Sequence, residues 1–180
     1  MAVDTVAAAM ASSGVGQVVV VTDDDDAAEA MLAMGAEVVD DAPDAGLNPA
    51  LLHGAAVATA GDPERGVVAM SSDLPALTAA ALDQVLQGIA AGSAAFVADA
   101  GATGTVLLAA RPAQLFQPLF GSESARRHAD AGALDVTKLA DARVRRDVDT
   151  LANLAAAAAL GCGAATAKVL AEHPALLTLE

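Results

Sequence analysis

At 180 residues the chain has the length of one domain, and its 55% hydrophobic content is ample for a single buried core. A formal charge of −14, three Phe residues and no Trp or Tyr exclude the basic surfaces and stacking platforms on which nucleic-acid binding rests. The single Cys162 excludes an internal disulfide framework and suits a reducing cytosol, and neither a basic signal-peptide start nor an uninterrupted membrane-spanning apolar run is found.

In chain order, residues 2–12 read as a helix that Gly14 and Gly16 break. Residues 17–22 form a continuous β-branched run, the pattern of a strand buried on both faces. The acidic turn from Asp23 to Asp26 opens a helix whose start its carboxylates stabilise, with Ala27, Ala30, Met31 and Met34 on one face. Gly35 ends it, and residues 36–39 make a short second strand. A helix over about residues 49–59 begins with Pro49 in its first turn. Residues 66–70 are a third strand, followed by a helix over about 78–90. Residues 94–98 and 105–109 supply strands on either side of the turn Gly101-Ala102-Thr103-Gly104. A helix at about 122–131 precedes a poorly patterned stretch around Val136. Residues 144–148 are the last strand candidate, and helices at about 150–160 and 164–172 close the chain.

Alternating strands and helices predict a mostly parallel sheet covered on both faces, in one domain over residues 1–180. Ligands of such sheets gather outside the carboxyl ends of the strands. That rule selects four places: residues 22–26, residues 71–75, the region of Thr105, and residues 146–149.

Asp73 directly follows a strand in Ser72-Asp73-Leu74-Pro75, and Pro75 biases Leu74 towards an extended conformation, so the carboxylate sits on a stiff corner. Mg²⁺ takes one or two carboxylates plus phosphate oxygens and needs such a corner; an ordinary turn aspartate would look the same. Asp147 and Asp149 are two apart and face one side of an extended strand, with Asp147 the better ligand and Asp149 also placed to cap the next helix. From Phe120 to His128 a glycine, two serines and two arginines stand together in an otherwise acidic chain. An anion site and ordinary capping by Ser122 both suit that pattern. Asn48, in Gly46-Leu47-Asn48-Pro49, can meet a base edge or cap the following helix. His53, His128 and His173 lack metal-ligand spacing.

Together, residues 18–23, 46–54, 72–77, 103–107, 120–128 and 146–154 resemble the 2-phospho-L-lactate or phosphoenolpyruvate guanylyltransferases of coenzyme F-420 biosynthesis. The resemblance implies a three-layer α/β/α nucleoside-triphosphate-transferase (Rossmann-like) fold, related to the molybdenum-cofactor guanylyltransferases. It implies that Asp73 and Asp147 hold Mg²⁺, with Asp149 a weaker ligand. Thr105, Gly121 and Ser124 match positions that bind phosphoenolpyruvate, while Gly46, Leu47 and Asn48 fall in the segment that approaches guanine. The implied reaction joins the phosphate of phosphoenolpyruvate or 2-phospho-L-lactate to GMP from GTP and releases pyrophosphate, in the cytoplasm. The alanine-rich composition suggests a GC-rich genome and tilts the acceptor towards phosphoenolpyruvate. Neither nucleic acid nor membrane is implied as a partner, and a homo-oligomer is compatible with the sequence.

Members of that family begin with a strand and a Lys/Arg-containing loop, whereas residues 1–6 here match the interior of the helix that comes after them. The expectation is an N-terminal truncation or a misassigned start, with poor stability and little transfer unless another chain supplies the strand. The alternatives are a nucleotidyltransferase for molybdenum cofactor or a sugar phosphate, and an inactive ligand-binding remnant.

Overall fold

The computed structural model describes residues 1–42, 44–60, 62 and 64–178. Its strands are β1 (Val19–Val21), β2 (Glu37–Val39), β3 (Val67–Met70), β4 (Ser93–Ala98), β5 (Thr105–Arg111) and β6 (Leu134–Asp135). The α-helices are α1 (Ala2–Met10), α2 (Asp25–Met34), α3 (Leu47–Ala58), α4 (Ala79–Gln87), α5 (Ser124–Asp130), α6 (Ala142–Arg145), α7 (Leu151–Leu160) and α8 (Ala164–Glu172). Each predicted helix has a counterpart within a few residues, because the signals that start them are local. Asp24 accepts the Ala27 N–H at 2.8 Å, Thr78 accepts the Ala81 N–H at 3.2 Å, and Thr150 and Asn153 form a reciprocal capping box.

Among the described residues the strands form two sheets. β1 pairs with β2 in parallel, and the larger sheet runs β3-β5-β4-β6. There β5 is antiparallel to both β3 and β4, while β6 is parallel to β4. Three strands of this sheet therefore run one way and β5 alone runs back, so its first residue, Thr105, lies at the edge where β3 and β4 end.

Side chains alternate across this sheet with the two-residue period of a strand, which makes two cores. On one face Leu74, Leu82, Val85, Val97, Leu107 and Val144 pack beneath α1, α4 and α6. On the other, Val67, Phe96, Leu108, Phe116 and Phe120 pack with Leu51 and Ala55 of α3 and Ala125 of α5. Helices on both faces of a sheet give the three layers expected from the sequence. A smaller cluster of Val6, Met31 and Ala36 holds α1 and α2 against Val18 and Val20. Helix α3 touches both β1 and β3 and so joins the two sheets. Its close seat on β1 requires Gly54, since a Cβ there would come within 2.8 Å of Val21 Cγ2.

Three expectations are corrected. The run around Val19 is not buried on both faces: β1 is half-buried throughout, because it has one hydrogen-bonded neighbour among the described residues. The strand buried on both sides is β5, whose positions 105–110 are all buried. The strand predicted over residues 144–148 is absent. Asp141 instead caps the short helix α6 by accepting the Arg143 N–H at 2.9 Å, and Val144 is driven into the core from that helix. The poorly patterned stretch near Val136 contributes β6 and a 3-10 turn over Thr137–Leu139, both held by β4 rather than by any local pattern.

Candidate active site

The strand ends place the chemistry. The Ser71 N–H donates to the Val106 carbonyl at 2.9 Å, which seats the end of β3 beside the start of β5, and Asp73 comes two residues later. A buried threonine fixes the loop. Thr5 Oγ1 of α1 donates to the Ser72 carbonyl at 2.9 Å and accepts the Leu74 N–H at 3.1 Å, bracketing Asp73 from both sides. Leu74 and Pro75 are fully buried behind it. The neighbouring Asp4 is also buried and accepts the N–H groups of Ala165 and Thr166, which docks the start of α8 on α1. Neither role was visible in the sequence. The one available signal was a pair of polar residues inside an alanine-rich helix.

Asp147 reaches the same place without a strand. Arg145 donates from Nε to the Ala98 carbonyl at 3.1 Å and from its terminal nitrogen to the Asp99 carbonyl at 2.7 Å, tying residues 145–149 to the end of β4. The Val148 backbone and the Asp149 charge are both near enough to shift the Asp73 carboxyl, so Asp73 lies against this segment. Burial pushes the Asp73 carboxyl above its usual range, and the Asp149 charge adds to the rise. Burial likewise raises Asp147, with Asp99, Asp73 and Asp149 repelling its charge. Asp149 does not cap the next helix, because Thr150 does. It is exposed, and the two-apart strand geometry that would align it with Asp147 is missing.

Among the described residues, two buried polar atoms of this region have no partner: Asp73 Oδ1 and Arg146 Nε. Buried polar groups are ordinarily hydrogen-bonded, so the unpaired Asp73 oxygen and the unpaired nitrogen of Arg146, the residue before Asp147, are candidate ligand contacts. Sequence reasoning missed Arg146. Among the described residues no three His, Cys, Asp or Glu side chains form a metal-holding group. The pair Asp73 and Asp147 suits Mg²⁺, which binds through one or two carboxylates and completes its shell with phosphate oxygens and water, whereas Asp73, Asp147 and Asp149 do not form a three-carboxylate set.

The hydroxyl-rich side of the site is built from the β4–β5 hairpin and α5. Asp99 accepts the N–H groups of Thr103 and Gly104, at 3.0 and 2.8 Å, and closes the turn. The Ala125 N–H donates to the Thr103 carbonyl at 3.1 Å, which brings Ser124 next to the turn leading into Thr105. Thr105 and Ser124 are both buried, and Thr105 Oγ1 lies 2.9 Å from His128 Nδ1. Gly121 precedes α5 at φ +116°, a conformation that suits glycine, and its carbonyl accepts the Ser124 N–H. Ser122 does not cap this helix. Glu123 occupies the cap position at φ 55° with no side-chain bond, and α5 is seven residues long.

Asn48 does not cap α3. Gly46 holds the cap position, and the Asn48 amide forms two bonds with Phe120: its nitrogen donates to the carbonyl at 3.1 Å and its oxygen accepts the N–H at 2.8 Å. This clamp joins residues 46–48 to the segment ending at Gly121. Leu47 stands exposed beside it. The structure thus brings Asp73 together with Asp147, Thr105 with Ser124, and residues 46–48 with Gly121.

Comparison with known proteins gives the family. Residues 2–144 match the MobA-like NTP transferase domain family. The chain is 51% identical over 175 residues to a phosphoenolpyruvate guanylyltransferase from Thermomonospora curvata, covering 97% of this chain and 77% of that protein. It is 48% identical over 168 residues to the phosphoenolpyruvate guanylyltransferase of Streptomyces avermitilis, covering 93% and 78%. Among solved structures, a nucleotidyl transferase from Methanothermobacter superposes with a TM-score of 0.63 over 89% of this chain and 80% of that one, at 19% identity, a likeness of fold. The chain is a nucleotidyltransferase, and it belongs to the MobA-like NTP transferase family and, within it, to the phosphoenolpyruvate guanylyltransferases.

Proposed function

We propose that this protein transfers GMP from GTP to phosphoenolpyruvate, with 2-phospho-L-lactate as the rival acceptor, in the cytosolic assembly of coenzyme F-420. The observation that carries this reading is the meeting of Asp73 with the 147–149 segment at the edge where Thr105 and Ser124 also lie. An acidic corner repels a phosphorylated substrate unless a cation stands between them. Asp73 and Asp147 would hold Mg²⁺, with Asp149 contributing charge from outside. When bound, the ion supplies charge neutralisation for the triphosphate and for the transferring phosphoryl group.

The protein's own work is binding and alignment. Gly46 and the exposed Leu47 meet the guanine, while the Asn48 amide braces that segment against Phe120. Thr105, Gly121 and Ser124 hold the three-carbon acid. An oxygen of its phosphate attacks the α-phosphorus in line. A new P–O bond forms, the bond from the α-phosphorus to the bridging oxygen breaks, and pyrophosphate leaves with the electron pair. The attacking oxygen is already anionic, so no base is needed, and no covalent enzyme intermediate arises. Arg146, with its unpaired Nε, is placed to take part of the negative charge.

The test is pyrophosphate release by the protein at its native length, with GTP, Mg²⁺ and each acceptor in turn. Release that requires all three components is expected, faster with phosphoenolpyruvate. Release no greater than the GTP-only blank with either acceptor would overturn the reading.

A further inference from the structure

We propose that His128 is a positioning residue for the acceptor: it fixes the direction of the Thr105 hydroxyl and holds the stretch of chain that leads into Gly121. The inference rests on the reading of Thr105 as an acceptor contact. His128 is 1% exposed, boxed between Phe96 at 6.0 Å and Phe120 at 5.3 Å between ring centroids, the latter edge-on. Both of its ring nitrogens are engaged. The Leu119 backbone N–H donates to Nε2 at 2.9 Å, and a backbone N–H can only donate. Nε2 therefore carries a lone pair, and in a neutral imidazole the proton must sit on Nδ1. Nδ1 lies 2.9 Å from Thr105 Oγ1, so it donates and the threonine oxygen accepts.

Thr105 is thereby left with its own hydrogen to give. A hydroxyl has one, and among the described residues Oγ1 gives it to no protein acceptor. A buried threonine whose oxygen already accepts and whose hydrogen is unspent is a donor set for an anion. Protonating His128 would turn Nε2–H against the Leu119 N–H. Burial and the Arg127 charge both hold the ring below the usual histidine range, against a smaller opposing effect from the Ser124 carbonyl. The neutral tautomer is thus built in. The same ring fixes Leu119, and Asn48 fixes the next residue, Phe120, so two side chains from different helices set the approach to Gly121.

Two substitutions separate the nitrogens. In His128→Asn the amide N–H falls near Nδ1 and can still donate to Thr105. In His128→Gln the amide oxygen falls near Nε2 and can still accept from Leu119, while the bond to Thr105 is lost. The expected result is a KM for phosphoenolpyruvate raised roughly tenfold in His128→Gln, as for one lost hydrogen bond to a charged ligand. The KM for GTP should stay within about twofold in both variants, and the KM for phosphoenolpyruvate should rise only about threefold in His128→Asn, which keeps the Thr105 bond and gives up the hold on Leu119. Equal effects in the two variants, or parallel rises in both KM values, would overturn the proposal.

A second measurement needs neither variant to be active. Nitrogen-15 spectra of the wild-type imidazoles at pH 7.5 should show one histidine as a neutral Nδ1–H tautomer, and the signal lost in His128→Asn assigns it. An Nε2–H tautomer or an imidazolium at that position would overturn the proposal on its own. Absence of transfer with every acceptor would instead defeat the activity reading, while the spectra still decide the tautomer.

Discussion

From Thr105 to Ala110 every side chain of β5 is buried and the strand is hydrogen-bonded to β3 and β4, whereas β1, three residues long, is half-buried and pairs with β2 alone among the described residues. The β3–β5–β4 half carries the Asp73 loop and the Thr105 hydroxyl. The β1–β2 half packs against α3, whose first turn holds Leu47 and Asn48, and is held chiefly by helix packing through Gly54 and the Val6, Met31 and Ala36 cluster. Thr105 opens the strand that is paired on both sides, and Asp73 lies just beyond the end of its neighbour β3, so both stand on the better-held frame.

The largest expected effect lies in the tight half. On the proposed reading Asp73→Asn or Asp147→Asn should lower kcat by roughly a thousandfold, since either change removes a carboxylate that would hold Mg²⁺ beside the transferring phosphoryl group. Mg²⁺-dependent thermal stabilisation should vanish with it. A variant that keeps both rate and Mg²⁺ response would remove that residue from the site.

Core truncations test the comparison directly. Leu107→Ala, at a fully buried position of β5, should cost about 2–5 kcal/mol in urea unfolding. Val20→Ala, at a half-buried position of β1, should cost about 1 kcal/mol or less. Equal costs would show that the two halves are equally well packed.

Thr5→Val keeps the shape of the side chain but leaves the Leu74 N–H without its acceptor. It should cost about 1–3 kcal/mol, the penalty of an unsatisfied buried donor, and lower transfer through a loosened Asp73 loop. Loss of stability with unchanged kcat would make Thr5 a purely structural tie.

The smallest effect is electrostatic. Asp73 and Asp147 have folded values raised chiefly by burial, so the folded chain keeps protons that the unfolded chain has released. Their stabilising contribution is complete below the ordinary aspartate value of 3.8 and fades as pH rises through the raised values. At neutral pH without metal, Asp73→Asn should therefore melt above the parent by no more than about 2–4 °C. Below pH 3.8 the two should coincide. A lower melting temperature for Asp73→Asn at pH 7 would show that the charged form is favoured in the fold.

The helices and most strands were legible because their causes are local: Asp24 caps α2 and Thr78 caps α4, Gly35 ends α2, and the 66–70 and 105–109 runs are β-branched or aliphatic. Asp73 was legible because a strand and a proline bracket it. The strand reading of residues 144–148 failed because Val144 and Val148 are four apart, a spacing that a strand face and a helix face share. Only the Asp141 cap and the Arg145 bonds to β4 make the segment a helical turn and a tether. Capping stood among the readings of Asn48 and Ser122 because residue type suggests it wherever a helix begins, and the choice of partner depends on what packs nearby.

The sequence by itself determined the order of elements, the three-layer class, the family and the Asp73 corner. All of these come from periodicity, from caps and from residue types in a fixed order along the chain. Tertiary structure alone decided that Thr5 brackets Asp73, that Asp147 arrives on an arginine tether rather than a strand, and that His128 faces Thr105. These are contacts between residues far apart in the chain. Their hydrogen bonds form because the cores above and below the sheet fix α1, α5 and α6 over its ends, and no local pattern records which donor will then meet which acceptor.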